Sequence, residues 1–289
     1  MSDFQGIWVA LVTPFRNGEI DFASLDRLLT KLLEDGVAGL VVCGTTGEAA
    51  ALSQAEQLAV LDAVLQRVPA QRVIMGLAGN QLSALLELQR EIQRRRLAGL
   101  LVPAPYYIRP AQAGLEHFFS TLADAAEVPL VLYDIPYRTG VRIERETLRR
   151  IVCHPNIHAI KDCAGDAETT MALIADGQVQ VLAGEDVQIF NTLCLGGAGA
   201  ISASAHIRAD LYVRMQQRVA QGDLQGARRL HYQLLPWMQA AFSEANPSAL
   251  KAALALQGLI DDETPRAPLL PCTAETRQRL QEVLTGLVR

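Results

Sequence analysis

Only three lysines, Lys31, Lys161 and Lys251, stand among the 26 basic residues of this 289-residue chain, and one of them is placed for covalent chemistry. Lys161 closes the apolar run Ile157-His158-Ala159-Ile160, which reads as a buried strand. A lysine there needs a reason, because lysines are almost never fully buried unless paired. In water a lysine with a pKa of ~10.4 is almost wholly protonated. Burial favours the neutral amine, which can attack a ketone. The resulting iminium withdraws electrons, acidifies the adjacent carbon and yields an enamine nucleophile without metal or cofactor. The other reading of Lys161 is an ion pair with Asp162 or Asp134, and position alone weighs the two equally. Lys31 lies on an amphipathic helical run, where a solvated lysine is sufficient explanation, and Lys251 falls in the C-terminal helices, outside the strand-bearing region.

Two further constellations could serve the same chemistry. Gly44-Thr45-Thr46-Gly47-Glu48-Ala49 follows an apolar strand and precedes a helix near Gln54; its backbone N–H groups and threonine hydroxyls could hold the carboxylate of a keto acid, or the segment is a plain βα turn. Tyr133-Asp134-Ile135-Pro136-Tyr137-Arg138-Thr139-Gly140 ends another strand. Tyr133 is a candidate proton relay, and Arg138 offers a planar fork for a second carboxylate. Seen singly, each would pass for a core tyrosine and a solvated arginine.

The elements that must position these residues repeat as short Val/Ile/Leu/Ala runs, each followed by apolar residues at three-to-four spacing. The expected strands are Ile7 to Phe15, Ala38 to Gly44, Arg72 to Gly79, Ala98 to Pro103, Pro129 to Pro136, Ile157 to Asp162, Gln178 to Gly184 and Ala198 to Ala203. The expected intervening helices begin near Ala23, Gln54, Leu82, Gly114, Arg145, Ala167, Val187 and Ile207, with Asp21 and Ser53 where N-caps belong. Strands that are apolar throughout are buried on both faces, so the expectation is an α/β fold, a (β/α)8 TIM barrel over residues 1–220, closed on its parallel sheet. Helices alone follow, near Leu224 to Phe242, Ser248 to Leu256 and Ala274 to Leu287, giving a C-terminal helical extension over residues 221–289 packed on the barrel. An open doubly wound sheet is the rival, but Thr13-Pro14-Phe15 stands where a dinucleotide-binding glycine loop would follow the first strand.

Composition narrows the classes. Half the residues are apolar and the net charge is -5, so no basic field exists for nucleic acid. The five cysteines are scattered and never spaced CxxC, which suggests neither a disulfide framework nor a thiolate metal site. His154 and His158 have helical metal-pair spacing, but Pro155 opposes a helix there. Neither a metal nor a cofactor is expected. Met1 to Val12 carries no basic segment ahead of an apolar stretch, and no uncharged run reaches a membrane span; a cytoplasmic protein is the expectation.

Five motifs, Gly44-Thr45-Thr46-Gly47-Glu48, Pro105-Tyr106-Tyr107-Ile108-Arg109-Pro110, Tyr133 to Gly140, Ile160-Lys161-Asp162 and Glu244-Ala245-Asn246-Pro247, occur in one order along the chain. In that order and spacing the chain resembles the dihydrodipicolinate synthase and N-acetylneuraminate lyase family over essentially its whole length. The resemblance implies a homotetrameric barrel enzyme in which pyruvate forms a Schiff base with Lys161. It implies that Thr45 and Thr46 relay protons and hold the pyruvate carboxylate, that Tyr133 belongs to the proton relay, that Tyr107 is lent by a neighbouring subunit, and that Gly184 and Ile201 line the pocket. Arg138 matches the arginine that binds the carboxylate of aspartate semialdehyde, so the resemblance points to the synthase branch, which serves lysine and diaminopimelate synthesis. The chain departs from the family pattern at Asp134, where Asn is usual, at Tyr137, where a small residue is usual, and at Ile108, where Asn is common. Two other functions stay open: a pyruvate-dependent aldolase for a sugar acid or hydroxyproline-derived keto acid, and a keto-acid-binding paralogue without turnover. Lysine-inhibited members have a glutamate matching Ala84 and often histidines matching Gln54 and Gln57; the chain keeps Asn80 and Tyr106, and weak or absent inhibition by lysine is expected.

Overall fold

The computed structural model describes residues 4–288, so the ends of the expected spans, residues 1–3 and 289, lie outside the described residues. Among the described residues ten strands form: β1 (Gly6–Ala10), β2 (Phe15–Arg16), β3 (Glu19–Ile20), β4 (Gly39–Val42), β5 (Val73–Gly76), β6 (Gly99–Pro103), β7 (Leu130–Asp134), β8 (Ile157–Asp162), β9 (Gln180–Ala183) and β10 (Gly199–Ser202). Eight of them close a barrel in the order β1-β10-β9-β8-β7-β6-β5-β4. The fold is the expected (β/α)8 barrel, and after β10 the described residues form helices and no further strand, among them Ala209–Ala220, Leu224–Ala241, Ser248–Leu256 and Ala274–Val288. Strands β1, β4 and β5 are buried at every position, as uninterrupted apolar runs require when both faces are covered.

Contacts group the chain into two compact units. One contains Ala70–Ile201 with the segment before Gly6. Within it, the parallel ladder of β7 and β8 sets Tyr133 beside Lys161 and Asp134 beside Asp162, and that of β8 and β9 sets Asp162 beside Ala183. The other unit contains Gly6–Pro69 and the chain from Ser202 onward. Here β1 pairs with β4, Val9 opposite Leu40. The two expected N-caps are present: Asp21 accepts from the Ala23 and Ser24 N–H groups, and Ser53 forms a capping box with Glu56.

Most strands are shorter than expected, β5 for example ending at Gly76 and not Gly79, and two ends have a reason written in the sequence. The run Ile7 to Phe15 leaves the barrel ladder after Ala10, and Phe15–Arg16 instead turns back on Glu19–Ile20 through Asn17-Gly18, both at positive φ (54° and 82°). An Asn-Gly pair is the preferred two-residue hairpin turn, so the signal was local turn chemistry rather than periodicity. The run Pro129 to Pro136 stops at Asp134, because Pro136 opens one helical turn, Pro136–Thr139, that Gly140 ends at φ 79°.

Candidate active site

Lys161 and Tyr133 are neighbours by ladder register. Side chains alternate along a strand, so the two emerge together on one face of the sheet while Asp134 and Asp162 emerge on the other. The Lys161 side chain is buried at 6% exposure, with its Nζ 4.4 Å from the centroid of the Tyr133 ring. Lys31 pairs with Asp35 and Lys251 with Glu48, whereas Lys161 meets no carboxylate among the described residues. The ion pair of Lys161 with Asp134 or Asp162 does not form, because both carboxylates point to the opposite side of the sheet.

Gly184 stands against the lysine. A Cβ built there would lie 2.3 Å from Cys163 Sγ, 2.9 Å from the Asp162 carbonyl and 3.0 Å from Lys161 Cγ, so any larger residue would push into the lysine stem. Beside it, the Tyr137 hydroxyl donates to Glu185 Oε1 at 2.7 Å, and the exposed Arg138 guanidinium lies 5.9 Å from the Tyr137 ring centroid. Ile201 is fully buried in β10. Tyr107 is 88% exposed at φ 73°, on a loop whose N–H donates to the Thr139 carbonyl at 3.0 Å and which is held at its start by Asn80 Oδ1 accepting from the Tyr106 N–H at 3.0 Å. The loop is docked on the turn that carries Arg138, yet the Tyr107 ring points into solvent within one chain.

On the far side of the sheet Asp134 is buried at 2% exposure, with no hydrogen-bond partner for Oδ1 among the described residues. Burial, and then the charge of Asp162, push its pKa up to about 7. Asp162 itself accepts from the Ala164 N–H at 2.9 Å and from the Thr170 hydroxyl.

Thr45 and Thr46 belong to the other unit, on the loop after β4. Cys43 (φ 51°) and Glu48 (φ 56°) bracket that loop in the left-handed region, while the Gly47 and Ala49 N–H groups return to the Gly44 carbonyl and that of Glu48 to the Thr45 carbonyl. The later N–H groups are thus consumed inside the turn, and what the loop presents is its threonines. A side chain at Gly47 would be tight, with a Cβ 3.0 Å from the Leu11 carbonyl and 3.2 Å from Cys43 backbone atoms. Thr46 is buried, and its Oγ1 accepts from Asn246 Nδ2 at 3.0 Å.

Three residues near these groups went unassigned in the sequence. Asn246 lies inside a quoted motif but had no role until its contact with Thr46 was visible. Glu185 carries no local signal. Lys251 reads in the sequence as peripheral, but its helix Ser248–Leu256 is apolar on all sides, with Leu250, Ala252, Ala253 and Leu254 buried around it, and the lysine is buried with them. Among the described residues no group of three or more His, Cys, Asp or Glu side chains has an arrangement that could hold a metal ion, and no helix is long and apolar enough to cross a membrane.

A profile of the Dihydrodipicolinate synthetase family matches residues 3–287. A 4-hydroxy-tetrahydrodipicolinate synthase of Trichlorobacter lovleyi is 39% identical over 97% of this chain and 98% of its own. Among solved structures, a dihydrodipicolinate synthase superposes with a TM-score of 0.94 at 35% identity, covering 99% of each chain. The chloride-inhibited dihydrodipicolinate synthase of Acinetobacter baumannii, complexed with pyruvate, superposes with a TM-score of 0.93 at 34% identity over 98% of this chain and 99% of that one. With its barrel, its buried Lys161 beside Tyr133 and its full-length match in agreement, the chain belongs to the dihydrodipicolinate synthetase family.

Proposed function

We propose that the chain acts as a 4-hydroxy-tetrahydrodipicolinate synthase, condensing pyruvate, held as an imine on Lys161, with aspartate semialdehyde. The observation that carries this reading is the buried Lys161 amine against the Tyr133 ring with no carboxylate partner among the described residues; the names of full-length relatives support it. Lys161 Nζ attacks the keto carbon and water leaves. Loss of a methyl proton gives the enamine, whose carbon adds to the aldehyde, and the amine of the semialdehyde then takes the place of Lys161 at the former keto carbon and frees the enzyme. Tyr133 and Thr45 move protons in these steps. Thr46 holds the pyruvate carboxylate, Arg138 the carboxylate of the aldehyde, and Gly184 and Ile201 shape the wall. The pyruvate found in the A. baumannii relative supports the first substrate. Tyr107, projecting as it does, completes the site of a neighbouring copy in a homotetramer working in the cytoplasm.

Borohydride added with pyruvate tests the reading: it should reduce an imine onto Lys161, inactivate the protein and leave an adduct that mass spectrometry finds on that residue. An adduct on Lys31 or Lys251, or none, refutes it. Tyr137 favours a second reading, since its ring and its bond to Glu185 stand where the family usually has a small residue. An aldehyde derived from a sugar acid or hydroxyproline would then be the partner, and turnover across a panel of aldehydes separates the two. Imine formation without turnover on any of them would mark a keto-acid-binding paralogue.

A further inference from the structure

The helices after β10 take no part in the chemistry above, yet three residues of that region end on the Gly44–Glu48 loop. Lys251 and Glu48 form an ion pair whose side chains are 0% and 1% exposed, with Nζ 2.5 Å from Oε1. The other carboxylate oxygen, Oε2, accepts from the Arg266 N–H at 2.8 Å. The Lys251 ammonium also lies 4.1 Å from the centroid of the Phe15 ring and 3.5 Å from the Thr264 carbonyl oxygen. Both oxygens of Glu48 are thus fixed from one region of the chain. The Arg266 guanidinium reaches the Ala51 carbonyl at 3.1 Å and Glu56 at 2.5 Å, just beyond the loop.

A buried ion pair is a poor way merely to attach a helix, because apolar residues of equal volume hold as well or better. What a charged, directional contact adds is a definite position for its partners. Glu48 is the residue that closes the turn: its φ is 56°, and its N–H donates to the Thr45 carbonyl at 3.1 Å. Locating Glu48 therefore locates Thr45 and Thr46. Asn246 works on the same loop by donating to Thr46 Oγ1 at 3.0 Å, which occupies one lone pair of that oxygen and leaves the hydroxyl proton to be donated elsewhere. A hydroxyl so held is preorganised to donate to an anion.

We propose that Lys251, Glu48 and Asn246 are positioning residues that set the Thr46 hydroxyl for the carboxylate of the keto-acid substrate, so that the region after β10 determines affinity for the first substrate. The proposal rests on the reading that Thr46 binds that carboxylate. The variants are Lys251→Met, the paired Glu48→Gln with Lys251→Met, which removes both charges together, and Asn246→Ala. For each, the unfolding midpoint, the pyruvate dependence of borohydride trapping and the KM for the aldehyde at saturating pyruvate are measured. Folded variants should need ~10-fold or more additional pyruvate for half-maximal trapping, the scale of a lost hydrogen bond to a charged group, with trapping restored at saturation and the aldehyde KM unmoved. A purely structural role would lower the unfolding midpoint and leave half-saturating pyruvate at the wild-type value. That result in Asn246→Ala and in the paired variant overturns the proposal, even where Lys251→Met, which strands a buried carboxylate, fails to fold. Absence of any imine in the wild-type protein would instead overturn the functional reading itself.

Discussion

Asp134→Asn is expected to stabilise the protein, and to do so only where the acid would ionise. Asp134 is buried beside Asp162 and its pKa is pushed from the ordinary 3.8 up to about 7. The unfolded chain loses this proton near 3.8, while the folded chain keeps it to about 7, so across that interval the folded state binds the extra proton and stability falls as pH rises. Above about 7 the full penalty is present. At ~1.4 kcal/mol per pH unit the interval corresponds to roughly 4 kcal/mol. An amide carries no charge and escapes this penalty, though its own buried polar atoms return part of the gain. We expect a net stabilisation of about 3 kcal/mol at pH 8, or a rise of roughly 6 °C in Tm at ~2 °C per kcal/mol for a chain of this length. The gain should be less than half as large at pH 5 and flat between pH 7.5 and pH 9. Urea and thermal unfolding of the two proteins across this range give the answer. Equal stabilities at pH 8, or a gain that does not change between pH 5 and pH 8, would refute the assignment of Asp134 as a strained buried acid.

Other outcomes follow from the same geometry. Arg138→Ala should leave pyruvate trapping intact while raising the KM for aspartate semialdehyde by ~10- to 150-fold, the range for losing a charged hydrogen-bonded contact; an unchanged KM excludes the role. Gly184→Ala places a methyl group 2.3 Å from Cys163 Sγ, 2.9 Å from the Asp162 carbonyl and 3.0 Å from Lys161 Cγ, so the end of β8 that carries the lysine has to shift. A misplacement of about 1 Å costs ~100-fold, so imine trapping should slow by that order, and wild-type trapping rates in this variant would show that the glycine does not protect the lysine. Titration of the condensation assay with lysine should show no half-inhibition below about 1 mM, a binding free energy of roughly −4 kcal/mol, because Ala84, Gln54 and Gln57 offer no carboxylate for the ammonium group. Inhibition at lower concentration would place an acid such as Glu56 at that site.

The sequence by itself determined the barrel and the position of its lysine. Period and length mark β/α units, continuous apolar runs mean strands buried on both faces, and the run Ile157 to Asp162 matches β8 residue for residue. These are short-range consequences of burial and hydrogen bonding, so they are written locally. Turn chemistry was written locally as well, in Asn17-Gly18 and in Pro136, although an expectation built on apolar periodicity ran the strands past both. What only the tertiary structure decided are pairings between residues far apart in the chain. Whether Lys161 faces Tyr133 or an aspartate depends on the register of β7 against β8, and a slip of one residue would reverse it. Whether Lys251 is a solvated helix residue or the partner of Glu48 depends on which elements pack together across some two hundred positions, and charge type alone carries no record of its partner. The same holds for Asn246 and Thr46, whose hydrogen bond exists only because the region after β10 returns to the loop after β4.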